Sequence, residues 1–481
     1  MRGIVIQEDG TRLQFDGLKE EMSLKETPDK YWTSVRTFRK YPVTFTLSIP
    51  SLQLSLVLTA KSHPDQEFMT ILSKPAFWEG RIQASGTLGN KTVQGLGFLE
   101  RNGFDPDQNI VKFFKNVGDA VRDSVEDMYP LRPTQEQAIE LIATKDTAHY
   151  CDGVPLDVLG DTLIAPFRVI ADRGGKSWRP YAALACIDAV GGDSRDFIQW
   201  VAMPEFLHVG SLIVDDIQDK SETRRGGPCA HLIYGEPLCI NAGTAAYFQC
   251  EQLLSVPGLS EADQVKCYKL YFAALRGGHA GQALDIYGND YIMDEVVETG
   301  NASVLEQRIC AIHRLKTAVP AGTLARMGSL VGGGTPSQIE AVGRFMEAVG
   351  VAFQIMDDVL NLRGIYSNKA DKNAGALLKT LGEDIVDGKV TMPVCQYMAR
   401  MKDREERQRI WNTIKSKPQD PQVVQSVIDE FERVGAIEAC VEMSHKIVDD
   451  AWAFADNELP DSFSKMMLRS FGWFVTEQSG G

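Results

Sequence analysis

Leu212-Ile213-Val214-Asp215-Asp216-Ile217-Gln218-Asp219 and Phe353-Gln354-Ile355-Met356-Asp357-Asp358-Val359-Leu360-Asn361 are the stretches on which the reading of this chain turns. Each sets oxygen-bearing side chains at i, i+1 and i+4 directly after an apolar run. On a helix, i and i+4 lie a turn apart on one face, so Asp215 and Asp219 can reach one point, as can Asp357 and Asn361. The stretches are far apart in sequence, so they need separate helices that face each other. Most acidic pairs sit on solvated helix faces. Adjacent carboxylates in apolar surroundings, however, repel and carry a large desolvation cost unless a cation compensates. An all-oxygen donor set suits Mg²⁺ rather than zinc, which prefers His or Cys.

Carboxylate helices that hold Mg²⁺ are suited to a diphosphate, whose oxygens the metal bridges and whose departure it stabilises. Basic residues should complete such a cage. Thr223-Arg224-Arg225-Gly226 follows the first stretch closely, and Lys316-Thr317, Lys379 and Lys389 lie around or after the second.

The surrounding sequence has helical texture from about Ile110 to the end, as in Val423 to Val434 and Ile437 to Asp456, where apolar residues recur every three or four positions. The first hundred residues have a different period. Val43, Phe45, Leu47 and Ile49 alternate with polar residues, and after Pro50-Ser51 a second alternation runs through Leu52, Leu54, Leu56 and Leu58, which predicts a hairpin. Trp78 to Gly86 and Val93 to Glu100 read as further strands around a Gly89-Asn90 turn, with glycines that suggest tight curvature. The turn-rich Phe104-Asp105-Pro106-Asp107-Gln108-Asn109 marks the boundary, so the expected organisation is a β domain over 1–104, a linker over 105–116 and a helical domain over 117–481.

Composition bounds the function. Acidic residues outnumber basic ones 65 to 50, a net charge of −15, which argues against electrostatic nucleic-acid binding. The N-terminus meets acidic residues before any long apolar run, so no signal peptide is expected, and no apolar stretch nears the ~20 residues of a membrane span. The nine Cys are scattered without a Cys-x-x-Cys pair, which predicts free thiols, a reducing and therefore cytoplasmic setting, and no structural zinc. Gly332-Gly333-Gly334-Thr335 lacks the Lys and the preceding strand of a nucleotide-binding loop.

Two resemblances add to this reading. In the β segment, Tyr31-Trp32-Thr33-Ser34, Tyr41-Pro42-Val43, Ile49-Pro50, Phe77-Trp78-Glu79-Gly80, Ser85-Gly86-Thr87 and Gly95-x-Gly97-Phe98-Leu99-Glu100 resemble about one half of the lipocalin-like domain of the hydroxyneurosporene synthase family, short of a closed barrel. No catalytic set is evident there, and a docking or stabilising module is expected. From about Val117 onward, Gly174-Gly175-Lys176-Ser177-Trp178-Arg179-Pro180, Asp215-Asp216-x-x-Asp219, Arg224-Arg225-Gly226, Gly281-Gln282-x-x-Asp285, Lys316-Thr317, Phe353-Gln354 and Lys379-Thr380-x-x-Glu383-Asp384-x-x-x-Gly388-Lys389 resemble the trans-isoprenyl diphosphate synthases. Ala230-His231-x-Ile233-Tyr234-Gly235 and Asp357-Asp358-x-x-Asn361-Leu362 look most like the geranylgeranyl diphosphate synthases among them. Ser177, where the family usually has a basic residue, and Asn361, in place of a third aspartate, depart from the pattern.

The resemblance implies a mainly α chain: an all-helical isoprenoid synthase fold with a central cavity, preceded by the small antiparallel β domain. It implies a Mg²⁺-dependent prenyltransferase of isoprenoid biosynthesis, expected as a homodimer. Asp215, Asp216, Asp219, Asp357, Asp358 and Asn361 would hold metal. Asp215, Asp216, Lys316 and Asp357 would carry catalysis. Arg224, Lys316, Lys379 and Lys389 would meet the allylic diphosphate, Lys176, Arg179, His208 and Arg225 isopentenyl diphosphate, and Thr317 and Gln354 would also bind substrate. The allylic C–O bond would ionise and the isopentenyl double bond attack the cation. Gly210 and Ser211, five and four residues before Asp215, are small, so the cavity below should admit a chain longer than farnesyl, as in geranylgeranyl diphosphate. A terpene cyclase on the same fold, acting on a finished prenyl diphosphate, is the competing expectation, and a non-catalytic regulatory subunit is disfavoured by the intact aspartates.

Overall fold

The computed structural model describes residues 2–16, 19, 21–28, 30–34, 38, 40–60, 67–68, 77–101, 110–175, 177–256, 258–364 and 381–477. It divides into two compact units, Met1–Asp123 and Ser124–Gly481. A helix, α1 (Ile110–Met128), begins within the segment read as linker and runs through the division.

The first unit is antiparallel β. Its main sheet comprises β1 (Ser23–Glu26), β2 (Thr44–Ile49), β3 (Leu54–Ala60), β4 (Glu67–Phe68), β5 (Phe77–Leu88) and β6 (Lys91–Arg101), in the order β6-β5-β3-β2-β1 with β4 paired to β5. The expected hairpin is β2–β3, with Ile49 opposite Leu54, and Leu52 belongs to its turn. Gly89, at φ +56°, turns β5 into β6. Gly86 lets β5 lie close to β3, because a Cβ there would collide with the Ser55 carbonyl. One face of the sheet packs Phe45, Leu58, Ala60 and Ile82 into a small core, as period two requires, and Tyr41 from the separate strand pair Tyr31–Thr33 and Lys40–Pro42 joins it. Among the described residues the sheet is open, with β6 and β1 at its two ends.

The second unit is helical. The elements that carry the site are α2 (Trp178–Ala189), α3 (Ala202–Gln218), α4 (Glu236–Gln249), α5 (Glu261–Tyr287), α6 (Ser303–His313), α7 (Val319–Val331), α8 (Pro336–Arg363), α9 (Met392–Arg400), α10 (Ala436–Glu458) and α11 (Phe463–Glu477). Helix α3 packs on α4 and α2, α2 on α7 and α11, and α7 on α5 and α8, while α8 lies along α10. The long α8 starts at a capping box, Thr335 with Gln338, and has Pro336 in its first turn. The pattern read over 423–434 and 437–456 becomes helices Pro421–Arg433 and Ala436–Glu458, separated by Gly435 at φ +70°.

One expectation is corrected. Among the described residues, the continuous helical stretch Ser194–Gln218 is long and apolar enough to cross a membrane by length and composition. Pro204, Glu205 and His208 break its apolar run in sequence without breaking the helix. More than half of its most apolar window is buried inside the protein, and its last turn carries Asp215 and Asp216, as befits a core helix beside a polar site.

Candidate active site

Helix α3 delivers the first acidic stretch at its C-terminal end. Asp215 is a fifth exposed, and its Oδ1 accepts a 2.6 Å hydrogen bond from Gln282 Nε2 and stands 3.5 Å from Lys316 Nζ. Lys316 Nζ is also 2.7 Å from Asp285 Oδ2. Burial works against the Lys316 charge, but Asp285 and Asp215 outweigh it and raise its pKa. Lys316 occupies a π-helical turn, Arg314–Ala318, of the kind that re-aims side chains at functional sites. Helix α5 approaches that turn because residue 281 is glycine, where a Cβ would lie 2.6 Å from the Lys316 backbone nitrogen. Thr317 Oγ1 donates to Gln354 Oε1 at 3.2 Å, which ties the turn to α8.

Asp216 points elsewhere. It is 1% exposed, and its Oδ1 accepts from Arg224 Nε at 2.9 Å while its Oδ2 is buried without a partner among the described residues. The helix explains the split, because i+1 is rotated by about 100° from i, whereas i+4 is rotated by only about 40° from it. Asp219 stays on the Asp215 side, with Lys389 Nζ 3.6 Å from its carboxylate. Burial and then Asp215 push the Asp219 pKa up, against the pull of Lys389.

The second stretch divides similarly. Asp358 is buried, and its Oδ2 accepts from the Met392 backbone N–H at 3.1 Å. Burial, reinforced by Asp384, holds its carboxyl well above the ordinary range. Asn361, 2% exposed, accepts from the Asp384 N–H through Oδ1 at 3.2 Å and from the Gly382 N–H through its own carbonyl. These two residues therefore anchor the returning segment 382–392. Asp357 is left to act on Arg179 and His313 electrostatically. Three of the six metal donors named from sequence, Asp216, Asp358 and Asn361, are thus turned into the protein. Their spacing matched, but their partners lie far away in sequence.

A second cluster of cations sits beside α3. Arg179, Arg225 and Arg224 act electrostatically on His208, and burial together with these arginines holds His208 well below its ordinary pKa, so the imidazole is neutral. The Arg179 guanidinium lies 4.2 Å from the centroid of the Trp178 ring and 5.5 Å from that of Phe353. Burial draws its pKa down to about 10, against Glu205 and Asp357. Arg225 has φ +50° and Ser177 φ +52°, left-handed positions that residues with side chains rarely adopt. Lys176 and Lys379 lie outside the described residues.

The two small residues differ in role. Gly210 faces α4, where a Cβ would meet Gly243 O at 2.6 Å, so its size is set by helix packing. Ser211 is exposed, and its Oγ donates to His208 O. Sequence reading left Glu205, Gln282, Asp285 and His313 out of the site. The Gly-Gln-x-x-Asp spacing carried the signal for Gln282 and Asp285, which are three apart on one helix face; Glu205 and His313 had none.

Among the described residues, no three carboxylate, His or Cys side chains close into a ready cation cage, because the carboxylates are drawn onto Lys316, Arg224 and Lys389. The donors do suit a hard divalent cation. Asp215 and Asp219 carry oxygen donors on one face, partly exposed, with Asp285 joined to Asp215 through Lys316.

Residues 161–431, more than half of the chain and all in the helical unit, match the polyprenyl synthetase family. The short chain isoprenyl diphosphate synthase of Methanothermobacter thermautotrophicus is 32% identical over 67% of this chain and 92% of that protein. Geranylgeranyl pyrophosphate synthase 4 of Arabidopsis thaliana is 31% identical over 49% of this chain, and the match spans 60% of that relative. The crystal structure of geranylgeranyl pyrophosphate synthetase from Pyrococcus horikoshii superposes with a TM-score of 0.58 at 25% identity, covering 76% of this chain and 99% of that one. The chain belongs to the polyprenyl synthetase family. It is a prenyltransferase that works on isoprenoid diphosphates, with the all-helical fold of that family.

Proposed function

We propose that this enzyme condenses isopentenyl diphosphate with an allylic diphosphate, using Mg²⁺, to form geranylgeranyl diphosphate or a product of similar length. The observation that carries this reading is the pairing of two distinct anion sites along α3. One is the carboxylate–lysine site of Asp215, Asp219, Asp285 and Lys316, and the other is the Arg179–His208–Arg225 cluster. A cyclase has one substrate and no use for a second site, and Glu205, which bonds Arg225, does not by itself balance the guanidiniums gathered there.

Asp215 and Asp219, with Asp357 from α8, would hold the divalent cation. When bound it supplies positive charge to the diphosphate oxygens that develop charge as the allylic C–O bond breaks. Lys316, Arg224 and Lys389 would leave their carboxylates in part to grip the same diphosphate. Arg225 and Arg179 would bind the isopentenyl diphosphate by charge, and the neutral His208 would donate a hydrogen bond. The isopentenyl double bond then attacks the cation, and the proton lost from the new chain passes to the departed diphosphate. This chemistry requires that water be kept from the allylic carbocation.

The exposed Ile240 and Phe248 on α4 and Val265 and Phe272 on α5 provide apolar surface for a homodimer partner. All nine cysteines are free, in keeping with a reducing, cytoplasmic setting. The β unit is assigned a stabilising or docking role.

The test is a product assay. Purified enzyme with Mg²⁺ and each allylic diphosphate, with and without isopentenyl diphosphate, should yield chain-extended diphosphates by mass spectrometry, and none after chelation of the metal. Cyclic hydrocarbon from farnesyl or geranylgeranyl diphosphate alone, with isopentenyl diphosphate never incorporated, would establish the cyclase instead.

A further inference from the structure

Glu205 lies on α3 three residues before His208 and is 7% exposed, where an unpaired carboxylate would be costly. Its Oε1 accepts from Arg225 Nη1 at 2.7 Å, and the same nitrogen donates to the Ile170 carbonyl at 3.2 Å. Gly175 lies beneath the guanidinium, where a Cβ would come within 2.9 Å of Arg225 Nη2. The Arg225 head is therefore located by a carboxylate, a carbonyl and a backbone surface, and its own backbone is held at positive φ. Asp216 grips Arg224 in the same manner, and it lies eleven residues, about three turns, beyond Glu205 on the same face of α3.

A buried ion pair is weak evidence for stability, because desolvation of both charges offsets most of the attraction. What this pair does is fix a position. Arg179, Arg224 and Arg225 all act on His208, and such neighbours repel. Glu205 bonds Arg225 and, with Asp357, attracts Arg179, so it offsets the repulsion between the two guanidiniums while fixing the position of one. We propose that Glu205 is the positioning residue of the isopentenyl diphosphate site, acting through Arg225. The proposal rests on the assignment of that site above.

The test is steady-state kinetics on full-length Glu205→Gln, Arg225→Gln and the double variant, with thermal melts. Glu205→Gln keeps the volume and loses the charge. It should raise the KM for isopentenyl diphosphate about tenfold, with kcat and the allylic KM within about twofold. In the Arg225→Gln background it should add less than about twofold, the non-additivity expected when one residue acts through another. Glu205→Asp keeps the charge on a shorter arm and should recover part of the loss; if Glu205→Gln does not fold, a rise in this KM alone in Glu205→Asp carries the test. Additive effects, or a joint change in kcat and both KM values, overturn the proposal. If Arg225→Gln raises this KM and Glu205→Gln does not, the positioning role fails while the substrate assignment stands. If Arg225→Gln leaves this KM unchanged, both fail.

Discussion

Arg224 Nε stands 2.9 Å from Asp216 Oδ1, and the carboxylate it holds is almost wholly buried. Asp215, one residue earlier, is a fifth exposed and shares its oxygen with Gln282 and Lys316. Adjacent aspartates thus have different work: one faces the site and the other fixes an arginine.

Asp215→Asn and Asp216→Asn should therefore fail differently. Asp215→Asn is expected to lower kcat about 10²- to 10³-fold at saturating substrate, the scale for losing one group that stabilises developing charge. It should also raise the Mg²⁺ concentration needed for half-maximal rate. Asp216→Asn should leave that concentration nearly unchanged and lower Tm instead, because it leaves Arg224 without its charged partner. A metal titration of the rate and a thermal melt separate the two. An equal shift in metal requirement would make Asp216 a ligand after all.

Gly210 and Ser211 make a second pair with separable effects. Gly210→Ala puts a Cβ 2.6 Å from Gly243 O, so α3 and α4 must part and stability should fall by about 1–3 kcal/mol. Ser211→Phe should leave the melt within a few degrees and shorten the product toward farnesyl diphosphate. Product chain length by mass spectrometry decides, and an unchanged distribution in Ser211→Phe would place the cavity floor elsewhere.

His313 should make the metal-free protein sensitive to mild acid. Burial lowers its pKa to about 4 from an ordinary 6.5, although Asp285 pulls the other way. Between those values the unfolded chain binds the proton and the folded one does not. Its contribution is therefore complete above pH 6.5 and is lost as pH falls toward about 4. The loss is on the order of 3 kcal/mol at about 1.4 kcal/mol per pKa unit. His313→Gln should flatten this part of the stability profile, measured by denaturant unfolding across that range. An unchanged slope would rule His313 out as its source.

Asn361 is expected to matter through the backbone it holds. Asn361→Leu leaves the Asp384 N–H without its acceptor and should cost about 1–3 kcal/mol in unfolding free energy. It should also loosen segment 382–389, which carries Lys389, so hydrogen exchange there should rise. The Mg²⁺ requirement of the rate should move little, whereas a large shift would return Asn361 to the metal.

The helical class and the β hairpin of 44–60 were legible in the sequence because they follow from local rules, and the family from the motifs that resemble it. Period two at Phe45, Leu47 and Ile49 and period 3.6 in α10 depend only on covalent neighbours. The i, i+4 spacing of Asp215 and Asp219 likewise put both on one face whatever packs against them. The tertiary structure alone decided what each polar group faces. Asp216 meets Arg224, Asp358 meets the Met392 N–H, Asn361 meets the Asp384 N–H and Gly210 meets Gly243 O. Glu205 gained its place in the same way, through Arg225 on a hairpin twenty residues along the chain. In each case a helix presents several faces of equal sequence quality. Which one meets solvent, a cation or a backbone amide is set by the burial and hydrogen-bonding demands of segments remote in sequence, which no local pattern encodes.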